Sequence, residues 1–369
     1  MSNSSPAVET ALREAIAASP TGNIPFSRFM EIALYGEPGG YYTAGGAADI
    51  GRKGDFFTSV SVGECFGFLL SHTVADCWRS AGEPESFRLI EPGARDGQLS
   101  KDVIAGLATH TPALAEKIET IRVEPGGGPY RSLAEIPAST IPGILIANEV
   151  IDALPVHRVR FADNVWHEIY ITTTPSGFAE TLVPPTEALT ARLATIPTQE
   201  FPQNYTTEIN LAQRDWLADA ARALPCGHHL LFDYGHRVED YYLPSRHEGT
   251  LRTYRDHKAG DDPLDAPGTR DMTTHVDFTA LAKDGSEVGL VPTGFADQHH
   301  ALTRAAAPWL RSLDGDPKTF RSPETQKRLR QFQTLTHPTM MGQKFHLLAL
   351  TSGDASPAPL QKIVPKLDL

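Results

Sequence analysis

The chain has 369 residues, of which 40% are hydrophobic and 21% charged, with 45 acidic residues against 33 lysines and arginines. This composition is typical of a globular protein with one large domain or two smaller ones. The net charge of −12 disfavours a large phosphate-binding surface, so we expect no nucleic-acid partner. No segment approaches the ~18 consecutive apolar residues of a membrane-spanning helix, so no membrane insertion is expected.

The cysteines and the start of the chain bear on the cellular compartment. Cys65, Cys77 and Cys226 lie far apart and are odd in number, which supports neither a disulfide framework nor a zinc knuckle. The polar start MSNSSPAVETALREAIA has neither the apolar core of a signal peptide nor the arginine bias of a transit peptide. We therefore predict a cytoplasmic protein without a metal site.

Helical periodicity characterises the first part of the chain. Apolar residues recur at helical spacing over residues 8–16, around Phe29 to Leu34, and from about Gly63 to Trp78. A glycine-studded loop, EPGGYYTAGGAADIGRKGDFFTS, separates the second and third of these segments. We expect residues 1–85 to form a helical N-terminal cap.

From Phe87 onwards, short apolar runs alternate with helical stretches. The runs are FRLIE, TIRVE, GILIANE and HHLLFDYG. Parallel strands need crossover connections that cover both sheet faces, so this alternation predicts an α/β core over residues 86–350. We interpret two stretches, near 156–205 and near 236–290, as insertions. The first of them includes the β-like runs VHRVRF and WHEIYI. The Pro/Ser-containing residues 351–369 are expected to form a loose tail.

The run RLIEPGARDGQLSKDVI is a candidate cofactor loop. It places Glu91 at the end of a buried strand and puts Gly93 and Gly97 before a helix. Ligands of open α/β sheets bind outside the carboxyl ends of the strands, where a glycine turn lets the backbone approach them. The fingerprints GxGxxG and GxxxxGK[ST] are absent. Glu124 ends the next strand and suits the two ribose hydroxyls of an adenosine, although a glycine turn with an incidental acid explains the same residues.

Six separated segments occur in one order along the chain: GGYYTAGGAADIGRKGDFFTS, LIEPGARDGQL, IANEVIDALPVHRV, LLFDYGH, GTLRTYRDH and PGTRDMTTHVDFTAL. Together they resemble the MidA-like family of S-adenosyl-L-methionine (SAM)-dependent methyltransferases, which has mitochondrial and bacterial members. The resemblance implies an α/β class I methyltransferase with a Rossmann-like core, a mostly parallel seven-stranded sheet and a helical N-terminal cap. It also implies SAM as cofactor and a protein substrate, methylated on arginine. For the mitochondrial member, this substrate is a subunit of respiratory complex I.

The resemblance also assigns the cofactor-binding residues. The loop before the third helix is expected to close over SAM, unless it is only a hinge with a buried phenylalanine pair. The glycine turn and neighbouring strand ends are expected to hold the cofactor. The predicted cofactor-binding residues are Gly54, Asp55, Thr58, Glu91, Gly93, Arg95, Gly97, Glu124 and Asn148.

Arg95 departs from the family pattern, because the glycine loop of the family usually reads like ELGPGRGTL. If this position requires a positive φ, an arginine there costs about 1 kcal/mol, and its side chain would crowd the methionine end of SAM. Alternatively, its guanidinium pairs with the SAM carboxylate. We expect SAM binding to be retained, because Glu91, Gly93, Gly97 and Glu124 keep their places.

An arginine acceptor needs carboxylates nearby, because its guanidinium is always protonated and its lone pairs are delocalised. Acidic side chains must hold the cation and aim one nitrogen at the methyl group. Glu149 and Asp152 follow the strand GILIA, so we predict that they are the catalytic carboxylates. The alternative is that Glu149 caps a turn and Asp152 caps a short helix.

Two further residues are predicted to be catalytic. Asp233 in LLFDYGH ends another strand and is expected to face the same crevice, unless it is only a turn former. His275 lies next but one to Asp277 and could accept the proton that leaves after transfer. Alternatively, Asp277 caps the following helix and His275 packs beneath it.

Two other functions remain open at this stage. One is methylation of a small molecule by the same fold, which a deep and enclosed acceptor pocket would favour. The other is a non-catalytic binding or assembly factor that has lost SAM binding through Arg95.

Overall fold

A computed structural model of the chain describes residues 5–43, 58–198, 200–255, 258–260 and 262–366. These residues form two compact units, each built from separate stretches of the chain. The first unit comprises the described parts of 1–56, 151–215 and 236–277, and the second those of 57–150, 216–235 and 278–369. Gly54 and Asp55, two predicted cofactor-binding residues, lie outside the described residues.

The helices have the following bounds: α1 Pro6–Ala18, α2 Phe26–Tyr35, α3 Cys65–Ser80, α4 Gln98–His110, α5 Pro112–Ala115, α6 Glu187–Leu193, α7 Ala212–Ala223, α8 Val238–Tyr241, α9 Phe278–Glu287, α10 Gln298–Ala305, α11 Ala307–Leu313, α12 Pro317–Phe320, α13 Pro323–Thr336 and α14 Ala358–Gln361. The strands have the following bounds: β1 Ile24–Pro25, β2 Phe87–Pro92, β3 Ile118–Val123, β4 Gly143–Asn148, β5 His157–Ala162, β6 Val165–Thr174, β7 Gly177–Val183, β8 Tyr205–Ile209, β9 Gly227–His236, β10 Arg252–Arg255, β11 Lys258–Gly260, β12 Asp271–Thr273, β13 Val276–Asp277, β14 Val291–Asp297 and β15 Phe345–Ser352.

A mostly parallel sheet forms the centre of the second unit. Six of its strands lie in the order β14, β15, β9, β4, β2, β3. Strand β2 runs parallel to β3 and β4, β4 runs parallel to β9, and β14 and β15 are antiparallel additions. All residues of β2 are buried, as expected for a strand covered on both faces. The predicted α/β class with a mostly parallel, Rossmann-like sheet is confirmed.

Helix α3 belongs to the second unit, although the sequence places it in a cap over residues 1–85. Its buried face packs closely on α4 through small residues. A Cβ at Gly106 of α4 would lie 2.5 Å from the hydroxyl oxygen of Ser71 on α3. Phe66 of α3 also packs edge-on against Phe232 of β9, with ring centroids 5.2 Å apart. These contacts explain why α3 groups with the sheet rather than with the two helices before it.

The segment 358–364 is packed into the core, whereas the sequence predicts a loose tail over 351–369. Leu360 and Val364 are fully buried, Ile363 is 4% exposed, and all three join the main hydrophobic core of the second unit. Their spacing places them on one face of α14 and the turn that follows it. Of the prolines that suggested a tail, Pro359 is itself a buried residue of this short helix.

The first unit contains an antiparallel sheet against which the N-terminal helices pack. The sheet has five strands, in the order β1, β6, β5, β8, with β7 paired to β6. Apolar residues of α1 and α2, including Leu12, Phe26 and Phe29, share a core with Ile169 and Ile171 of β6. The β-like runs that the sequence assigned to an insertion therefore form this sheet. Among the described residues, no helix is long and apolar enough to cross a membrane.

Candidate functional site

Glu91 lies at the carboxyl end of β2 and is 5% exposed. Its Oε2 accepts a hydrogen bond of 3.1 Å from the backbone N–H of Ser100, in the first turn of α4. Burial raises the pKa of Glu91 to about 7, against the lowering effect of the hydrogen bonds from Ser100. Asp96 raises the pKa further and Arg122 lowers it. Glu91 therefore connects the end of the strand to the start of the helix and titrates near neutral pH.

The turn between β2 and α4 is left-handed at three positions. Gly93, Arg95 and Gly97 have φ angles of 66°, 50° and 73°. A Cβ at Gly97 would lie 2.6 Å from Cδ of Arg122, and one at Gly93 would lie 3.0 Å from Cγ2 of Val150. Glycine is thus needed at both outer positions. The middle position does require a positive φ, so Arg95 bears the backbone cost of about 1 kcal/mol that its sequence position suggested.

Glu124 follows β3 directly and contacts this turn. Its Oε2 accepts a hydrogen bond of 2.8 Å from the backbone N–H of Arg95. Its own N–H donates to the carbonyl oxygen of Tyr130 at 3.0 Å. The acidic residue predicted to bind a ribose therefore also holds the left-handed turn in place.

Asn148 and Glu149 form the end of β4, next to β2 in the sheet. Glu149 has a φ of 55°, and its N–H donates to the carbonyl oxygen of Phe232 at 2.9 Å. Its Oε1 accepts hydrogen bonds from the N–H of Ser59 at 3.1 Å and from Nδ2 of Asn148 at 3.0 Å. A non-glycine residue in this conformation costs about 1–3 kcal/mol and persists only where its surroundings fix it. Such residues cluster at functional sites.

Asp233 lies in β9, directly after the stretch that pairs in parallel with β4, and is 1% exposed. Its Oδ2 accepts the N–H of Val150 at 3.3 Å, and its Oδ1 accepts the N–H of Tyr234 at 2.9 Å. Both carboxylate oxygens therefore bind backbone groups. This geometry indicates that Asp233 positions the residues that follow β4, among which is the turn after Glu149.

The buried Oδ1 of Asn148 has no hydrogen-bond partner among the described residues. Leaving a buried acceptor unpaired costs about 1–3 kcal/mol, so this oxygen is suited to a ligand that donates to it. SAM carries amino and hydroxyl donors. The left-handed turn, Glu124 on the adjacent strand and this acceptor lie at the carboxyl ends of three neighbouring strands, where ligands of such sheets bind. The residues present fit a nucleoside cofactor of this kind.

Thr58, Asp152 and His275 are the remaining predicted site residues that the structure describes. Thr58 caps a turn, since its Oγ1 accepts the N–H of Ser61 at 3.1 Å. Asp152 and His275 belong to the first unit. Asp152 is 4% exposed and its carbonyl oxygen accepts the N–H of Thr274 at 2.9 Å, so these two residues lie in one region of that unit. Within the second unit, the structure brings together Glu149 and Asp233.

Sequence reasoning missed two contributors to the site. Ser100 lies in the first turn of the helix that follows the glycine turn, where free backbone N–H groups commonly bind anions. Its hydrogen bond to a carboxylate could therefore have been predicted from its position in the sequence. Ser59 binds Glu149 through its backbone N–H, and no sequence pattern indicates this contact. Within the part of the chain that the structure describes, no group of His, Cys, Asp and Glu residues is arranged to hold a metal ion.

The chain is similar to named arginine methyltransferases over most of its length. It is 26% identical to the Drosophila melanogaster protein arginine methyltransferase NDUFAF7 homolog, mitochondrial, over 90% of this chain and 82% of the relative. It is also 26% identical to human protein arginine methyltransferase NDUFAF7, mitochondrial, over 89% of this chain and 80% of the relative.

A solved structure shows the same architecture. The crystal structure of a Burkholderia thailandensis protein bound to S-adenosyl-homocysteine has a TM-score of 0.78 and 27% sequence identity. The similarity covers 95% of this chain and 94% of that chain.

The predicted cytoplasmic location is contradicted by these comparisons. The relatives from Drosophila melanogaster, Homo sapiens and Rattus norvegicus are all named as mitochondrial proteins. The prediction rested on the composition of the first residues and on the unpaired cysteines, and unpaired cysteines are equally compatible with another reducing compartment.

A family model described as "Putative S-adenosyl-L-methionine-dependent methyltransferase" matches residues 69–127 and 130–296. The matched segments make up more than half of the chain and contain β2, β3, β4 and β9, which carry the candidate site. The left-handed turn, the acid on β3 and the acceptor on β4 agree with a SAM site. The chain therefore belongs to the family of SAM-dependent methyltransferases.

Proposed function

We propose that this methyltransferase transfers a methyl group to an arginine side chain of a partner protein, and that Glu149 holds the acceptor guanidinium. Two observations support the proposal. The relatives are named protein arginine methyltransferases. Glu149 is the carboxylate at the end of the central strand β4, held in a left-handed conformation by Ser59, Asn148 and Phe232.

The cofactor side of the reaction needs little from the protein except positioning. When bound, SAM supplies an electrophilic methyl group on a sulfonium, and transfer breaks the sulfur–carbon bond as a nitrogen–carbon bond forms. We expect Glu124 to bind ribose hydroxyls, Oδ1 of Asn148 to accept from a cofactor donor, and the turn of Gly93 to Gly97 to admit the amino-acid end. Alignment of this kind contributes most of the rate in such displacements.

The acceptor side needs a negative charge. A carboxylate beside the guanidinium draws the positive charge towards itself and leaves the opposite nitrogen better able to attack. Glu149 is suited to this role because its Oε1 is already oriented by two donors, so little reorganisation is required. The acceptor nitrogen loses one proton after transfer.

The roles of Asp152 and His275 are also proposals. Asp152 is proposed as a second carboxylate for the acceptor, and His275 as the group that accepts the released proton. The ring of His275 lies 5.1 Å from that of His236, and its backbone N–H donates to Oγ1 of Thr250 at 3.0 Å.

The Glu149→Gln variant tests the proposal. We expect methyl transfer from labelled SAM to a protein acceptor to fall by about 100-fold or more, while SAM affinity in calorimetry changes by less than about threefold. Glu187→Gln, at an exposed position on α6, is the matched control and should retain full activity. Full turnover by Glu149→Gln would remove Glu149 from the site.

Two measurements separate the alternatives. Transfer to small molecules but not to any arginine-containing protein would favour a small-molecule methyltransferase. Absence of SAM binding, restored by Arg95→Gly, would favour a non-catalytic factor. We propose a subunit of a respiratory complex as the acceptor. Mass spectrometry for methylarginine in the proteins that copurify with the chain would identify it.

A further inference from the structure

A broad groove lies on helices of the second unit, lined by residues that belong to none of the candidate site positions. It has a volume of about 1520 Å³ and is bordered by α3, α4 and α10 to α13. Pockets that enclose small ligands usually have volumes of about 300–1,000 Å³. The groove is therefore larger than a single metabolite requires, and it can accommodate a length of polypeptide.

The floor of the groove is aromatic. The rings of His72 and His110 stack with centroids 4.1 Å apart. Phe68 meets His72 edge-on at 5.4 Å and Trp309 at 5.7 Å. The guanidinium of Arg328 lies over the ring of Phe68 at 3.9 Å. This arrangement gives a rigid surface with cationic groups close to it.

The charge of the groove is opposite to that of the chain. Its lining contains six cationic residues and three acidic ones, although the chain carries a net charge of −12. The cationic residues are Arg79, Arg304, Arg311, Lys318, Arg328 and Lys362, and the acidic residues are Asp76, Asp316 and Glu324.

The acidic residues do not neutralise all of these cations. Arg79 and Lys362 pair with Asp76 at 3.1 and 2.7 Å. By contrast, Arg304 and Arg311 form no ion pair with any described residue, and both are exposed on one side of the groove. The excess positive charge is thus accessible to a binding partner.

The groove also contains buried polar atoms that lack a partner. Oγ1 of Thr73 and Nε2 of His72 have no hydrogen-bond partner among the described residues, and Thr73 is only 2% exposed. Buried polar groups in native proteins are nearly always satisfied, and each exception calls for an explanation. A carboxylate or peptide group bound at either residue would satisfy its unpaired atom.

From the cationic lining, the aromatic floor and the unsatisfied polar atoms, we propose that this groove binds an acidic segment of a partner protein. Arginine and aromatic residues are the types enriched at protein interfaces. Phe320, 46% exposed on α12, directly follows the lining residue Thr319 and offers an apolar contact next to it. Complementary charge would speed the association and select the partner.

The proposal can be tested with a fluorescein-labelled peptide of repeated Glu-Glu-Phe triplets, titrated with the full chain and followed by fluorescence anisotropy. We expect binding that weakens about tenfold between about 50 and 200 mM salt, and no binding of the matched Lys-Lys-Phe peptide. The double variant Arg304→Glu/Arg311→Glu should weaken binding of the acidic peptide by about tenfold or more.

The control variant Lys283→Glu/Arg330→Glu carries the same change in charge at exposed positions that do not line the groove, and it should bind within about twofold of the unmodified chain. Thr73→Val removes an unpaired hydroxyl, so it should lower affinity a few-fold without lowering the melting temperature.

Five results would overturn the proposal. The first is that the acidic peptide does not bind, and the second is that the control variant loses as much affinity for the peptide as Arg304→Glu/Arg311→Glu does. The third is full displacement of the peptide by inorganic phosphate, which would indicate a small-anion site. The other two are tighter binding of single-stranded DNA than of the peptide, and a dimer of the chain that Arg304→Glu/Arg311→Glu dissociates.

Discussion

The backbone N–H of Arg95 donates a 2.8 Å hydrogen bond to Oε2 of Glu124, so the residue that replaces the middle glycine of the family loop is held by the acid of the adjacent strand. Arg95 adopts a left-handed conformation there, with a φ of 50°. Compared with glycine, Arg95 adds a side chain and a backbone cost to a turn that is left-handed at this position. The hydrogen bond to Glu124 stabilises that conformation.

Arg95→Gly should stabilise the protein. Glycine adopts a positive φ without the steric cost that arginine bears, so we expect the free energy of unfolding to rise by about 1 kcal/mol. Chemical denaturation measures this change. Arg95→Ala is the matched control, because it removes the side chain but keeps the strain, and it should not stabilise. Equal gains in both variants would show that the side chain, and not the backbone, is responsible.

The same two variants show whether the Arg95 side chain binds the SAM carboxylate or crowds the cofactor. If its guanidinium pairs with the SAM carboxylate, both Arg95→Gly and Arg95→Ala should weaken SAM binding by about tenfold. If it crowds the cofactor, both should strengthen it. Calorimetry with SAM distinguishes these outcomes, and the difference between the two variants isolates the contribution of the backbone.

The sequence predicted the parts of the site that depend on local patterns. Apolar runs identified β2, β4 and β9, and the acid that follows β3 could be located from strand order alone. The left-handed conformation of Glu149 could not be predicted, because glutamate has no preference for it and only tertiary contacts with Ser59 and Phe232 impose it. The burial of Leu360 was also missed, since a helix of one turn gives too short a pattern to distinguish from a tail.

Glu91 should make stability depend on pH. Its pKa rises from the ordinary 4.5 of a glutamate to about 7 in the folded chain, mainly because of burial. Folding therefore takes up a proton between these values, and the free energy of unfolding falls as the pH rises from about 4.5 to about 7 and levels off above it. The full effect amounts to about 3 kcal/mol.

Urea denaturation at about pH 5 and about pH 8 measures this effect. Glu91→Gln keeps an acceptor for the N–H of Ser100 but cannot ionise, so its stability should differ less between the two pH values. Glu85→Gln, at an exposed position whose ion pair among the described residues is with Lys117, is the control, and its stability should depend on pH as that of the unmodified chain does. If the free energy of unfolding of Glu91→Gln depends on pH as strongly as that of the unmodified chain, the titration belongs to another group.

Asp233→Asn distinguishes a positioning role from a catalytic one. Both carboxylate oxygens of Asp233 accept backbone N–H groups, whereas an asparagine can accept only one of them. We expect a loss of about 1–3 kcal/mol in the free energy of unfolding, together with reduced methyl transfer. A catalytic role alone would lower the turnover number and leave the free energy of unfolding unchanged.

The C-terminal helix should contribute strongly to stability, because its apolar residues complete the core of the second unit. Leu360 is fully buried, so Leu360→Ala should lower the free energy of unfolding by about 2–5 kcal/mol through lost burial and the cavity that remains. Met340→Ala is the control, since Met340 is 47% exposed and should cost less than about 1 kcal/mol. Denaturation curves for the two variants measure the difference. If Leu360→Ala is as mild as the control, the segment after Ser352 is only loosely attached in solution, and chains cut after Ser352 should then retain the stability of the full chain.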